Sequence, residues 1–502
     1  MTAAIEIVIP SNGLRRWQAL VIERLRGHGH DVTLRHGDAR APWYWAFDLA
    51  FHFERRLIAR RCGGLMQIVS ARPATARSAA TLRIDLTGLA PADNTPTLAL
   101  AFDGVPTARG ALDALVHGRL PAIDIRLDGT TIGHAAPMID NRASIAASLE
   151  DVLARAITLT VATADRVASG ARLEPLSSSA TRAPRASFSR YVSTFASLVI
   201  RESRRRALFR FAHWRTGYRI AGATAWYELP EDGSRFFADP FPFVQDGQRY
   251  IFVEDFDHAT GKGVISVSEV DSAGFATTPR PIIEEPTHLS YPQVFAQDGD
   301  IWMIPESSAG REVVLYRAEH FPDRWVRHAV LIADAEISDA TLLIRDGLYW
   351  LFGTLRDGHG STSDTLVAYY APALTGPWAP HVANPLRIDR AAARPAGAFF
   401  ERDGRTWLPV QDGTRGYGSG IGLVELLDLS VTAVRLGPRQ RLSSAGAELP
   451  PAVHTFNRHA DLEVIDWKIA EPRRRGSSAE PAILANIRPR ASSLSTTITP
   501  AE

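Results

Sequence analysis

The chain has 502 residues, 45% apolar and 22% charged, the balance of a soluble globular protein too long for one ordinary core, so two domains are expected. A net charge of +1 argues against a protein-wide nucleic-acid field, and the lone cysteine, Cys62, excludes an internal disulfide or a cysteine-based zinc site. The N-terminus lacks a cationic segment followed by a long apolar one, and no apolar run reaches about 18 residues, so a cytoplasmic protein is expected. Only Lys262 and Lys468 are lysines; the arginine bias points to a GC-rich, bacterial genome rather than to phosphate recognition.

In chain order, "IEIVI" at residues 5–9 reads as a buried strand. "LRRWQALVIERLRGHGH" follows with Trp17, Leu20, Val21 and Leu25 at helical spacing, and "DVTLRHG" reads as a second strand. Strand, helix, strand within about 35 residues is a βαβ unit and favours a parallel sheet. "GLMQIVSA", "ATLRIDLTG", "TLALAFDG" and "AIDIRLDG" supply further strands, and "NRASIAASLEDVLARAITLTVATADRVA" reads as a closing helix. No G-x-G-x-x-G follows the first strand and no phosphate loop occurs, so nothing in this half points to a nucleotide cofactor.

The order of elements, with "RRWQALVIERLRGHGHDVTL" as the best-matching stretch, is similar to the N-terminal domain of formyltransferases. That resemblance implies a Rossmann-like α/β domain over residues 1–172. "GHAAPMIDNRAS" holds the family's catalytic residue types as His134, Asp140 and Asn141 but not their order, so a degenerate scaffold is expected and formyl transfer is the lesser alternative.

Residues 173–187, rich in Ser, Pro, Ala and Arg, read as a linker. Residues 188–221 read as a basic amphipathic helix, with Phe188, Tyr191, Phe195, Leu198, Val199 and Phe209 beside Arg201, Arg204, Arg205, Arg206 and Arg210. Packing on a neighbouring domain is its main expectation and contact with an anionic membrane the alternative.

From residue 222 short β-runs alternate with turns. Asp-Gly pairs flanked by apolar residues, the strongest short hairpin signal, recur at Asp246, Asp298, Asp346 and Asp403, at intervals of 52, 48 and 57 residues. A fifth, degenerate copy is "AVHTFNRHADLEVIDWK", with His459-Ala460 at the turn. This period is the signature of an all-β propeller, here five-bladed over residues 222–470, before a disordered tail at 471–502. Counting seven residues back from each turn gives Asp239, Tyr291 and Asp339, with Pro395 nearby in the fourth unit. Counting eight forward gives Glu254, Glu306, Thr354, Gln411 and Trp467. Both positions lie at the same end of a hairpin, so Asp239, Glu254, Glu306 and Asp339 are expected to converge on one mouth, with Asp255, Arg394 and Asp412 near them. The turn aspartates themselves are read as turn residues only. "QDGTRGYGSGIG" adds a Gly-rich loop with no phosphate-loop grammar.

"FFADPFPFVQDGQRYIFVEDFD", "LSYPQVFAQDGDIWMIPESS", "ISDATLLIRDGLYWLFG" and "ARPAGAFFERDGRTWLPVQDGTRGYG" resemble the N-terminal propeller region of the glucosamine inositolphosphorylceramide transferase family and its bacterial relatives. The glycosyltransferase domain of that family has no evident counterpart here. More distantly, the propeller is similar to five-bladed glycoside hydrolases such as arabinanases and xylosidases. That resemblance implies Asp239 in "ADPF" as base and Asp339 in "SDATL" as the second, tuning carboxylate. Arg394 stands where those hydrolases place their acid and cannot protonate a leaving group near neutral pH, so Glu306 or Glu254 would have to substitute, with Glu306 preferred.

The chemistry this implies needs one protonated and one ionised carboxyl, which clustering and burial provide. The rival class is a binding module in which Tyr291, Tyr417 and Trp467 stack a sugar, Glu254, Asp255, Gln411 and Asp412 bond it, and Arg394 meets an anionic group. Scaffolding of partner enzymes is a third reading. A carbohydrate or glycolipid head group is the expected partner, nucleic acid is not, and no histidine–carboxylate spacing indicates a metal.

Overall fold

The computed structural model describes residues 2–11, 13–37, 45–57, 64–69, 79–88, 90–91, 93–177, 182–223, 225–442 and 449–472; Cys62 and the tail from 473 onward lie outside the described residues.

Strands Asp31–Gly37, Ala4–Pro10, Leu82–Asp85 and Thr97–Phe102 lie side by side in that order, all parallel. Ile5, Ile7, Val8 and Ile9 are all buried, as a strand covered on both faces requires. Helix Arg16–Gly27 lays Trp17, Val21, Ile22 and Leu25 into the core, and helix Ile145–Ala168 begins where the Ser144 hydroxyl accepts the Ala147 amide at 3.0 Å. The sheet departs from the parallel expectation at one edge. Strands Ile123–Leu127 and Thr130–Ala136 are antiparallel and joined by Asp128-Gly129, both at positive φ. The hairpin signal used for the second half thus operates in the first as well. Helices Trp45–Leu57 and Arg109–Val116 are further elements beyond those expected.

The second half has a propeller-like arrangement. Four sheets of four or five strands stand apart, built on residues 209–228 with 453–472, 235–283, 290–333 and 400–441. A further antiparallel meander, Ile337–Arg345, Leu348–Leu355, Thr365–Ala371 and Ala379–Pro380, lies between the last two of these in sequence. It continues into the first domain: Arg387–Asp389 pairs with the meander on one side and runs parallel to Thr130–Ala136 on the other. The expected basic helix ends at Leu208, and residues 209–220 form a strand paired with 462–472. Pairing the first strand of the domain with its last overrides the local helical pattern.

The junction between the halves is specific. Arg155 on the long helix donates from Nε to Asp364 at 2.8 Å, both fully buried, and the other Asp364 oxygen accepts the Met138 amide at 2.8 Å. Arg390 donates to the carbonyls of Leu120, Pro121 and Pro137. A buried arginine with carboxylate and carbonyl partners on the opposite domain fixes their orientation more than it adds stability.

Candidate functional site

The repeated hairpins share one backbone device. Asp239, Tyr291 and Asp339 all sit at positive φ, 48°, 49° and 53°, inside a break of strand register seven residues before the turn. Such a bulge re-aims the side chain, and in a residue with a Cβ it costs energy that the surroundings must offset. The acid ending one unit's second strand provides that support for the next unit. Glu306 Oε2 accepts the Asp339 amide at 3.0 Å, and Asp466 Oδ2 accepts the Asp239 amide at 2.9 Å. Glu254, at the matching position before Tyr291, makes no such bond among the described residues.

Asp239, Glu254, Glu306 and Asp339 are all buried, and so is Asp466. Two cations answer these five acids. Arg394 grips Asp339 with Nε at 2.6 Å and Nη2 at 3.1 Å, reaches Glu306 at 3.5 Å, and donates to Ser363 at 3.2 Å. Burial opposes its charge, but Asp339, Tyr417 and Glu306 outweigh burial and hold the guanidinium charged. His454 lies between two carboxylates, Nδ1 3.3 Å from both Asp239 and Asp466. Burial disfavours its cation, yet Asp466 and Asp239 carry its pKa to about 10, so it is an imidazolium at neutral pH. Asp239 also accepts the Thr455 hydroxyl at 2.9 Å; burial would raise its pKa, but His454, Thr455 and Arg394 together hold it low and ionised.

Glu254 is left over. Its Oε1 lies 3.4 Å from His288 Nε2. The Gly263 amide donates to His288 Nδ1 at 2.9 Å, which fixes the tautomer with the proton on Nε2, and burial keeps the ring neutral against the pull of Glu306 and Asp239. Burial, then Asp239 and Glu306, push the Glu254 carboxyl well above the carboxylate range. The same centre thus pushes the Glu254 carboxyl up and holds the Asp239 carboxyl down. Glu306, the expected acid, accepts the Asp339 amide and the Ser308 hydroxyl and lies 3.5 Å from Arg394.

The other expected residues divide. Gln411 joins the cluster, donating to Asp339 at 3.0 Å. Tyr417 lies over it: the residue is 41% exposed while its hydroxyl meets His454 Nε2 at 3.1 Å and Arg394 sits 5.2 Å from the ring centre. Gly418 at φ 69° allows this, since a Cβ there would stand 2.2 Å from the Trp214 ring. Tyr291 is fully buried and spends its hydroxyl on the Gly397 amide at 2.7 Å and on Thr341, so it braces the centre and is not a stacking surface. Asp255 points to the other side of its strand, to Arg235 and Ser266. Asp412 caps its own loop through Thr414 and pairs with Arg439. Trp467 packs with Val453, Phe456 and Ile465.

His454 and Asp466 fall outside the count because the fifth hairpin is shorter: its turn is Ala460-Asp461, His459 pairing with Leu462, and the two residues stand six before and six after Ala460 instead of seven and eight. "LEVID" nonetheless carries the same signal as "YIFVE" and "IWMIPE", an acid directly after an apolar strand. Among the described residues, Asp239, His454 and Asp466 offer ligand atoms within 4.8 Å of one another, close enough for a metal ion. A metal there would compete with the His454 proton.

This is a propeller-like β domain with a charged, nearly water-excluded centre. Residues 223–435 match the family model described as glucosamine inositolphosphorylceramide transferase 1, N-terminal, the family resemblance carried by the hairpin motifs. Over 201 residues the chain is 36% identical to glucosamine inositolphosphorylceramide transferase 1 of Oryza sativa subsp. japonica, covering 39% of this chain and 27% of that protein. The Arabidopsis thaliana protein of the same name is 34% identical over 201 residues, 39% of this chain and 26% of its own. The chain thus spans about a quarter of the length of these curated relatives. Among solved structures, a thermostable family-43 glycoside hydrolase aligns with TM-score 0.35 and 11% identity, over 49% of this chain and 90% of its own. A family 117 glycoside hydrolase from Zobellia galactanivorans aligns with TM-score 0.36 and 12% identity, over 54% and 96%.

Proposed function

We propose that the centre of the propeller is a saccharide site in a protein of glycan or glycolipid metabolism, with the merged meander at 337–380 serving as the fifth blade. The observation that carries the reading is the uncompensated Glu254: four acids are paired or hydrogen-bonded within the protein, and one carboxyl is buried without a hydrogen bond. A group held at such a cost, among others with opposed proton affinities, is a mark of a functional site. Sugar hydroxyls both donate and accept, and suit a protonated Glu254 beside an ionised Asp239. The similarity to proteins named for transfer of glucosamine onto a phosphoinositol lipid supports a glycolipid sugar as the ligand class.

Binding is favoured over cleavage, because Arg394 neutralises Asp339 and Glu306. One pair of observations supports hydrolysis as a second reading. Burial and neighbouring carboxylates favour a proton on Glu254 that could pass to a leaving glycosidic oxygen as its bond to carbon breaks, and Asp239 could take a proton from the attacking water. The N-terminal half fits a scaffold that orients the mouth through Arg155 and Arg390. A glycan-binding and hydrolysis screen of wild type and Asp239→Asn separates the readings. Binding without turnover supports a recognition module, turnover lost in Asp239→Asn supports the hydrolase, and no saccharide bound by either protein defeats both.

A further inference from the structure

Helix Phe188–Leu208 is half packed and half bare. Tyr191, Phe195 and Leu198, spaced at three and four residues, meet the core of the first domain. On its other sides Val192, Ile200 and Leu208 are 48%, 53% and 61% exposed, and Arg201, Arg204 and Arg205 are exposed among them. Leu49 and Phe53, one turn apart on the neighbouring helix Trp45–Leu57, are exposed as well. Single exposed apolar side chains need no explanation, but a concentration on two adjoining helices, interleaved with arginine, does.

The arginines also crowd other cations. Arg142 donates to the Gly413 carbonyl at 2.9 Å, and its Nε is buried without a hydrogen bond. Burial, then Arg201, depress its charge. Lys468 donates to the Tyr417 carbonyl at 3.2 Å and is depressed by burial and then by Arg205. Glu202 already accepts from Arg205 Nε and Nη2, both at 2.8 Å, and the remaining like charges beside the loop that carries Tyr417 are relieved by an anionic partner.

From this arrangement we infer that the outer face of helix 188–208 docks on an anionic lipid surface, with the mouth of the propeller beside the head groups. Arginine supplies the attraction, and Val192, Ile200 and Leu208 enter the interface. Among the described residues no helix is long and apolar enough to cross a membrane, so the contact is with the surface. The chain's own segment from 473 is a poor rival occupant, since Arg473, Arg474, Arg475, Arg488 and Arg490 outnumber its acids. A second copy would set arginine against arginine.

The test is flotation of the full chain with phosphatidylcholine vesicles, with and without phosphatidylserine. Wild type should float with the anionic vesicles and be released by salt. Each arginine near the surface contributes about fivefold, so a triple charge reversal, Arg201→Glu, Arg204→Glu and Arg205→Glu, should weaken binding about 100-fold or more. Ile200→Ser with Leu208→Ser should weaken it at unchanged charge, and both variants should keep the wild-type circular dichroism because the positions are exposed. Asp239→Asn should float like wild type, which keeps this result separate from the sugar site. The inference is overturned if wild type ignores anionic vesicles, or if the triple variant binds as well as wild type. It is equally overturned if the serine pair instead abolishes a concentration-dependent dimer in sedimentation.

Discussion

Replacing Arg394 by Met tests the charge arrangement most severely. The substitution keeps an unbranched chain of similar reach and removes two hydrogen bonds to Asp339, the approach to Glu306 and the bond to Ser363. Asp339 and Glu306 stay buried, now without a cation. Breaking a buried pair from one side costs about 3–5 kcal/mol, because the cost is that of the abandoned charge. At roughly 2–4 °C per kcal/mol for domains of this size, the melting temperature should fall by about 10 °C. The sign of the pH dependence follows. Burial, helped by Glu306, already holds the Asp339 carboxyl well above the carboxylate range against the pull of Arg394, and losing Arg394 raises it further, so the added penalty is largest at high pH and shrinks as falling pH protonates the group. Adding Asp339→Asn to Arg394→Met should recover part of the loss. Urea unfolding at two pH values measures all three effects. An Arg394→Met protein within about 1 kcal/mol of wild type near neutral pH would refute the reasoning, since exposed pairs alone behave that way.

Two carboxylates of one site should respond oppositely to amide substitution. Asp239→Asn removes a charge that His454 and Thr455 stabilise and should cost about 2–4 kcal/mol, whereas Glu254→Gln replaces a protonated carboxyl and should be neutral or stabilising above neutral pH. Infrared difference spectra should show a protonated-carboxyl band in wild type that Glu254→Gln removes. His454 sets a second pH effect: its folded pKa of about 10 lies above the unfolded value, so its contribution is complete below about pH 6.5 and is lost as pH rises towards 10, at up to about 1.4 kcal/mol per unit. That slope, read as wild type minus His454→Gln in denaturant titrations, should vanish if the ring is neutral in the fold.

The hairpins were legible because Asp-Gly turns and apolar alternation are local, and counting from the turn found Asp239, Glu254, Glu306 and Asp339 without knowledge of any contact. What the count could not carry was which face a side chain takes. Asp255 follows Glu254 in sequence and points away, because successive residues of a strand face opposite sides. Tyr291 kept its register but lost its expected role, since a hydroxyl buried at the centre is claimed by the Gly397 amide. The strand at 209–220 read as helix because its pairing partner lies some 250 residues away in sequence, at 462–472. His454 escaped partly for the same reason: Asp466 lies across its own shortened hairpin, but its other partner, Asp239, belongs to a sheet more than 200 residues earlier in the chain. The arrangement of Arg394 was half visible. Its position argued against a simple copy of the hydrolase acid, and the structure adds that it holds Asp339, while Glu254 is left without a hydrogen bond among the described residues.

The proposed saccharide site at the centre of the propeller is organised around Glu254. Calorimetric titration of wild type and Glu254→Ala with glucosamine- and inositol-containing oligosaccharides tests it directly. Saturable binding by wild type, lost in a Glu254→Ala protein of unchanged fold, is the predicted result. Binding that survives the substitution undiminished would contradict it.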